Sequence, residues 1–410
     1  MYGSNNLLLL ISSTLFLGYI GNLFYTRTKI PDIVWLLFFG ILLGPGLNFF
    51  NKETFLSLSP LMSVLAIVII LFEAGISINL ETVLTTMSKY ISLTIISYVA
   101  QLIFIGLLLN LILPTSFTLL QAWLLGAMVG GSSTVSVLSV LRGVEKIIPD
   151  SESARVILTM ESVISDPIGI IVSITLIQRI ITPQTSLLLG VGDIIFILIL
   201  SSVIGFFSGF AWVMILDKLR DRPFNNVLTI ALLFPLYLFV DQIIGNGGGA
   251  MAALVFGLVI SNSKEIATRL GRKIEYKVDN QKMKEFHEEI SFFVRSFFFV
   301  FVGLIATLRL EYILVGLTVV AAIVILRYSV GTMVGEFFDF SRTEKILSRL
   351  VFAQGLPAFV MAQLPSIYDP NKLYFVDPQI YVNLSIPIVL GTVIIDAVFG
   401  PIIAQRQLKK

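Results

Sequence analysis

Thirteen apolar runs follow one another along this chain, at roughly 7–25, 31–48, 59–77, 91–113, 119–141, 154–178, 190–216, 226–243, 248–262, 288–307, 311–333, 346–366 and 380–403. A run of about 20 apolar residues matches the thickness of a bilayer's hydrocarbon core. Inside that layer a segment must satisfy its own backbone hydrogen bonds, which a helix does within itself. The expected fold is an all-α membrane protein of about thirteen transmembrane helices, one transmembrane unit over 1–410 with no soluble domain. Composition agrees: 56% of residues are hydrophobic and 13% charged, too little polar surface for a soluble protein of this length.

Charge placement orients the chain. With the N-terminus outside, 22 of the 28 lysines and arginines fall on one side and four on the other, and Arg295 and Arg327 stay inside the membrane. The positive-inside rule then puts the C-terminus in the cytoplasm of a multi-pass plasma-membrane protein. Met1 to Asn6 has no basic stretch, so no cleavable signal peptide is expected. Cysteine is absent, which excludes disulfide and thiolate chemistry. The spans offer no nucleophile–base pair or metal cluster, so an enzyme is not expected, nor a cofactor. The connection 262–284 is basic and is expected to lie on the membrane surface or to link two bundles. His287, the single histidine, is expected at the interface beside Glu288 and Glu289, with a pH-sensing role as the alternative.

Within the sixth run, Glu161-Ser162-Val-Ile-Ser165-Asp166-Pro167 places two acids at membrane depth. An ionised acid there costs at least about 2.5–3.5 kcal/mol and persists only with a partner or a water-filled path, so such residues mark ion or proton routes. Ser162 and Asp166 are four apart and share a helix face, where a hydroxyl and a carboxylate can meet one cation. Glu161 lies about 140° away around the helix and needs a different partner. Arg327 in the eleventh run is the candidate, with Arg295 in the tenth as alternative; a Glu161–Arg327 bridge would be structural, pinning helices together, with a gating or substrate-contacting role as the other reading. Glu73 at the end of the third run either lines the route to Asp166 or sits at the interface. Asp193 and Asp241, near span ends, are expected to be solvated.

Two runs make poor continuous helices. The fifth carries Gly126 and then Gly130-Gly131-Ser132-Ser133-Thr134; the twelfth carries Gly355-Leu356-Pro357. Opened backbone at membrane depth is tolerated only where protein buries it or it lines a cavity. Interruptions at matching places in two halves point to a transport site on inverted-topology repeats. Spans one to six and eight to thirteen form the halves, with the seventh as linker, and Asp396 falls near the counterpart of Asp166.

These residues resemble the monovalent cation:proton antiporter superfamily, on the branch of archaeal and bacterial sodium/proton antiporters. The signature Glu-Ser-x-x-Asn-Asp is matched by Glu161, Ser162 and Asp166. Leu71-Phe72-Glu73-Ala74-Gly75, Phe299 to Leu304, Gly247 to Asn262, Arg327 and Gly355 to Ala358 match as well. The resemblance implies alternating-access exchange of Na⁺ or Li⁺ for H⁺ by a homodimer serving pH homeostasis. It implies crossed broken helices in a transport core (spans near 59–178 and 288–403) and a dimerisation bundle (spans near 1–48 and 190–262). It also implies that Na⁺ sits at Asp166 with Ser162, Glu73 and backbone near Ser132, while Glu161 bridges Arg327.

Two departures bear on the ion. The family's Thr-Asp-Pro reads Ser132-Ser133-Thr134, which removes a carboxylate, and the Asn before the key acid is Ser165. A site with one charge fewer binds Na⁺ less strongly unless Glu73 or Asp396 compensates, so K⁺/H⁺ exchange is the alternative. One carboxylate that holds either a cation or a proton implies electroneutral 1:1 exchange. A cation channel is disfavoured, because channels use repeated filter loops or charged rings. A Na⁺-coupled carrier of an organic anion on a related inverted-repeat fold is the third reading.

Overall fold

The computed structural model describes residues 2–28, 30–50, 58–80, 86–134, 137, 140–141, 152–182, 187–219, 224–245, 247–269, 280–307 and 309–408. Fifteen α-helices run through them: α1 Tyr2–Thr28, α2 Asp32–Ile41, α3 Ser59–Ser77, α4 Met87–Ile112, α5 Leu119–Met128, α6 Glu152–Ile181, α7 Leu187–Lys218 and α8 Asn225–Ile243. They continue with α9 Gly248–Ser261, α10 Ser263–Arg269, α11 Asn280–Ile305, α12 Leu310–Phe337, α13 Arg342–Leu350, α14 Leu356–Tyr368 and α15 Gln379–Leu408. The middle of the 262–284 connection, at 270–279, lies outside the described residues.

Among the described residues, eight helices are long and apolar enough to cross a membrane, and a ninth is added if α9 and α10, bent by 79°, count as one. Each of the thirteen apolar runs holds helix, but several hold it in short or broken pieces. α2 passes into a π-helical turn at Leu42–Gly46 around Pro45. α5 and α14 have 10 and 13 residues, and α11 begins in polar sequence. Thirteen full spans therefore rest on joining half-helices.

The fifth and twelfth runs are both interrupted. α5 ends at Met128, residues 129–133 are non-helical, and helix resumes at Thr134. α13 ends at Leu350, residues 351–355 are non-helical, and α14 begins at Leu356. The second opening lies upstream of where Gly355-Leu356-Pro357 suggests. Gly355 is its last residue, and Pro357 sits in the first turn of α14, where a missing N–H costs nothing. Ser/Thr-x-x-Glu/Gln boxes start the half-helices: Thr118 with Gln121 for α5, Ser341 with Glu344 for α13. Each satisfies two of the donors a helix start leaves unpaired.

The chain forms two compact units, one of residues 1–63, 86–169 and 293–410, the other of 64–85 and 170–292. In the first, α2 and α11 pack at backbone distance: a Cβ on Gly303 would lie 2.6 Å from the Leu37 carbonyl oxygen. Small residues allow such approach between membrane helices. In the second, Gly257 meets the Phe72 backbone in the same way. Asp241 is not simply solvated as its span-end position suggests. Its Oδ1 accepts the backbone N–H groups of Gly247 and Gly249 at 3.0 and 2.8 Å, holding the turn into α9. His287, expected at the interface, is buried with its ring against Phe72 and Phe286. Neither ring nitrogen has a hydrogen-bond partner among the described residues.

Glu344 ties α13 into the first unit. Its carboxylate accepts from Lys89 Nζ at 2.7 Å, from the Ser153 hydroxyl and from the Ser341 N–H. Burial raises its pKa, but those donors and the Lys89 charge outweigh it and hold the carboxyl below the usual range. A depressed carboxyl contributes stability that is full above the unfolded-state pKa and is lost as pH falls through the folded value. Glu344→Gln should therefore lower the melting temperature in detergent at pH 7, with the gap to wild type closing as pH drops below about 4. A gap unchanged with pH would show that the charge contributes nothing.

Candidate ion-binding site

The first unit brings the two openings together. The Ser133 N–H donates to the Ala353 carbonyl at 2.8 Å, joining one non-helical segment to the other. Gly355 lies against Ser133, where an added Cβ would meet the Ser133 Cβ at 3.2 Å. The interrupted runs thus cross at their breaks. Gly130 and Gly131 serve the same closeness. A Cβ on Gly130 would press on the Tyr98 ring, and one on Gly131 would sit 3.1 Å from Ser165 Oγ and 3.5 Å from Asp166 Oδ1.

Side chains of α6 satisfy the first opening. Ser165 Oγ accepts the Ser132 N–H at 3.3 Å, and Ser162 Oγ donates to the Ser132 carbonyl at 2.8 Å. Thr134 Oγ1 lies 2.8 Å from Ser162 Oγ. Side chains of α15 satisfy the second. Asp396 Oδ2 accepts from the N–H groups of Phe352 and Ala353 at 2.9 and 2.8 Å, and Thr392 Oγ1 accepts from Gln354 at 3.1 Å. Asp396 is fully buried, and its Oδ2 is turned to the backbone of 352–353.

Glu161 and Arg327 meet as a buried pair, 3% and 2% exposed. Arg327 Nη1 donates to Glu161 Oε1, and Nη2 donates to Oε2 at 2.7 Å. Arg327 also reaches Ser97 Oγ at 3.2 Å and, through Nε, the Ser348 carbonyl at 2.6 Å. That carbonyl lies in the last turn of α13, where a helix leaves acceptors unpaired and favours cations. One guanidinium therefore links α4, α6, α12 and α13. Arg295, the alternative, lies half-buried on α11.

Asp166 differs from both. It lies midway along α6, keeps partial accessibility between the buried Ser165 and Pro167, and receives no hydrogen bond or ion pair among the described residues. Ser132 Oγ is likewise buried without a partner. Among the described residues the core thus holds three acids, two of them bound by protein donors and one without any, with an unused hydroxyl at the adjoining break. Hard oxygen donors of this kind suit an alkali cation, and the carboxylate suits a proton. Glu73 is half-buried on the part of α3 that belongs to the second unit. Sequence reasoning missed Thr134, Gln354 and Thr392. The last had a signal, because Thr392 precedes Asp396 by four residues as Ser162 precedes Asp166.

The buried pair yields a test. Removing one member strands the other's charge, at about 3–5 kcal/mol, whereas replacing both with apolar groups is far milder. Arg327→Met should lower the melting temperature sharply, and Arg327→Met with Glu161→Met should recover much of the loss. Additive losses in that cycle would mean the two side chains are not coupled.

Comparison with known proteins places this geometry. The family described as "Sodium/hydrogen exchanger, transmembrane" matches residues 11–409. "Probable Na(+)/H(+) antiporter 2" of Methanocaldococcus jannaschii is 26% identical over 96% of this chain and 94% of its own length. "K(+)/H(+) antiporter NhaP" of Alkalimonas amylolytica is 22% identical over 95% of this chain and 65% of its own. The solved structure of the sodium proton antiporter MjNhaP1 from M. jannaschii at pH 8 superposes with a TM-score of 0.82 at 19% identity, over 98% of this chain and 100% of that one. It shares the fold. With a family match over nearly its whole length, this chain belongs to the transmembrane sodium/hydrogen exchangers.

Proposed function

We propose that this protein is a secondary active antiporter that exchanges Na⁺ or Li⁺ for H⁺ by alternating access, one for one and without net charge movement. Asp166 is the exchanging group. The observation that carries this reading is that, of the three core acids, Asp166 has no protein partner among the described residues while keeping some accessibility. Ser162, Ser132 and backbone at Ser132 and Ser133 complete the cation's oxygen shell. Glu161 with Arg327 is a structural tie. The resemblance supports a homodimer in the plasma membrane, in which a transport core works against a dimerisation bundle, and the lysine and arginine asymmetry supports a cytoplasmic C-terminus. Thirteen spans in two inverted repeats fit the crossing of the two openings. Pairing of cation and proton on one carboxylate also fits a role in pH homeostasis.

K⁺/H⁺ exchange is the second reading, favoured by one observation. Where the family places an acid, this chain has Ser133, and its side chain lies against Gly355. One negative charge fewer weakens the preference for the smaller ion, and the A. amylolytica relative is named for potassium.

In proteoliposomes, addition of Na⁺, Li⁺ or K⁺ should dissipate an imposed ΔpH, and Asp166→Asn should reduce that exchange to the level of empty vesicles. Persisting exchange in the variant would overturn the assignment. Because proton and cation compete for one group, the apparent cation KM should fall as pH rises; a pH-independent KM contradicts the scheme. Ser133→Asp tests the missing charge. A carboxylate about 4 Å from a cation is worth up to about 4 kcal/mol in a protein environment, so the KM for Na⁺ should fall.

A further inference from the structure

α13 is an amphipathic half-helix whose buried face carries Ile346, Leu347 and Leu350. Arg342, Lys345 and Arg349 fall at positions i, i+3 and i+7, a spacing that puts all three cations within one narrow stripe. α13 packs on α12 and on α15. A cleft of about 510 Å³ opens at that junction, lined by Phe340, Arg342, Lys345, Ile346, Arg349 and Gln407.

The charge in this cleft is uncompensated. No lining residue is acidic, and neighbouring Glu344 is committed to Lys89, Ser153 and Ser341. Lys345 and Arg349 form no ion pair among the described residues. The Arg349 guanidinium stands 5.5 Å over the Tyr328 ring, and its Nε is buried without a partner. Arg342 spends one nitrogen on the Gln407 carbonyl at 2.9 Å. Arg342 also occupies the first position of α13, where a helix end disfavours positive charge. Three cations gathered around one cavity call for an anion.

We propose that this cleft is a binding site for the phosphate headgroup of an anionic membrane lipid. The choice of a lipid over a free anion rests on the neighbouring surface. At the same ends of the same helices, Phe337 in the last turn of α12, Phe338 just after it, and Ile402 and Ile403 of α15 expose large apolar side chains. A soluble phosphate uses only the charge, whereas a lipid uses the charge and lays its acyl chains on that surface. Basic pockets between membrane helices at the cytoplasmic level take such headgroups, and the lysine and arginine asymmetry assigns this end to the cytoplasm. The bound headgroup would clamp α13 to α15, and α13 runs directly into the opening at 351–355.

The test uses the full-length protein in detergent, titrated with dioleoyl phosphatidylglycerol or dioleoyl phosphatidylcholine and followed by native mass spectrometry and thermal unfolding. Wild type should retain the anionic lipid selectively and melt higher with it. Each juxtamembrane cation contributes about a factor of five, so Arg342→Gln with Lys345→Gln should weaken phosphatidylglycerol binding by about 30-fold and leave phosphatidylcholine binding unchanged. If that variant does not fold, Lys345→Gln alone decides, with an expected loss of about fivefold. Equal binding of the two lipids by wild type would overturn the site, as would equal phosphatidylglycerol binding by wild type and variant. Displacement of the lipid's stabilising effect by millimolar inorganic phosphate alone would overturn its assignment to lipid. Because the readout is binding, the result does not depend on which ions the protein exchanges.

Discussion

A helix that opens inside a hydrocarbon layer releases N–H and C=O groups that lipid cannot satisfy. The first compact unit is organised around two such openings, at 129–133 and 351–355. Each is served by the long helix that follows it in sequence. α6 supplies Ser162 and Ser165 to the first, and α15 supplies Thr392 and Asp396 to the second. The openings also serve each other through the Ser133–Ala353 hydrogen bond. The two halves thus solve the same problem with a hydroxyl four residues before a carboxylate. They differ in what the carboxylate does. Asp396 is consumed by backbone donors, whereas in α6 serine hydroxyls take over that task and leave Asp166 unused.

That division separates structure from exchange. A carboxylate already holding two N–H groups, or a bidentate guanidinium, would have to give them up to receive an ion. Leaving such groups unsatisfied costs about 1–3 kcal/mol each, and more where charge is involved. Asp166 gives up nothing of the kind. An acid without a partner among the described residues can take either a proton or a cation, and in the proposed exchange the two exclude each other. Arg327 contributes by holding Glu161 in a bidentate pair, which leaves Asp166 as the acid at the crossing without a partner among the described residues.

Much of this arrangement was legible in the residues because membrane depth makes polar groups conspicuous. The two interruptions, the Ser162–Asp166 face and the Glu161 mismatch with that face all follow from composition and the helical period. The rest depended on partners that spacing does not reveal. Asp396 could be located as the counterpart of Asp166 but not assigned to Phe352 and Ala353, since backbone donors leave no mark in sequence. The second opening was displaced because proline marks where a helix can start as readily as where one stops. Asp241 and His287 sit at the ends of apolar runs and looked interfacial, yet the Gly247–Gly249 turn covers one and aromatic rings cover the other. Thirteen apolar runs yield eight full-length helices among the described residues, in part because an opening divides the apolar length of a run in two.

The hydrogen bonds at the crossing also constrain how the site can change the side it faces. Ser132 N–H and C=O, Ser133 N–H, and the N–H groups of Phe352, Ala353 and Gln354 are all satisfied within this cluster. Breaking them together at membrane depth would cost on the order of 10 kcal/mol, comparable with the entire stability of an ordinary domain. A mechanism that rewound or separated the openings during each cycle would meet that barrier every time. Exposure of Asp166 to alternate sides is far less costly if both openings, α6, α15 and the Arg327 tie travel as one body. Packing at backbone distance around Gly131 and Gly355 fits such a body, since it leaves no room for the openings to slide past each other. In the proposed exchange, the interactions that make broken helices tolerable in the membrane would therefore be the ones that oblige them to move together.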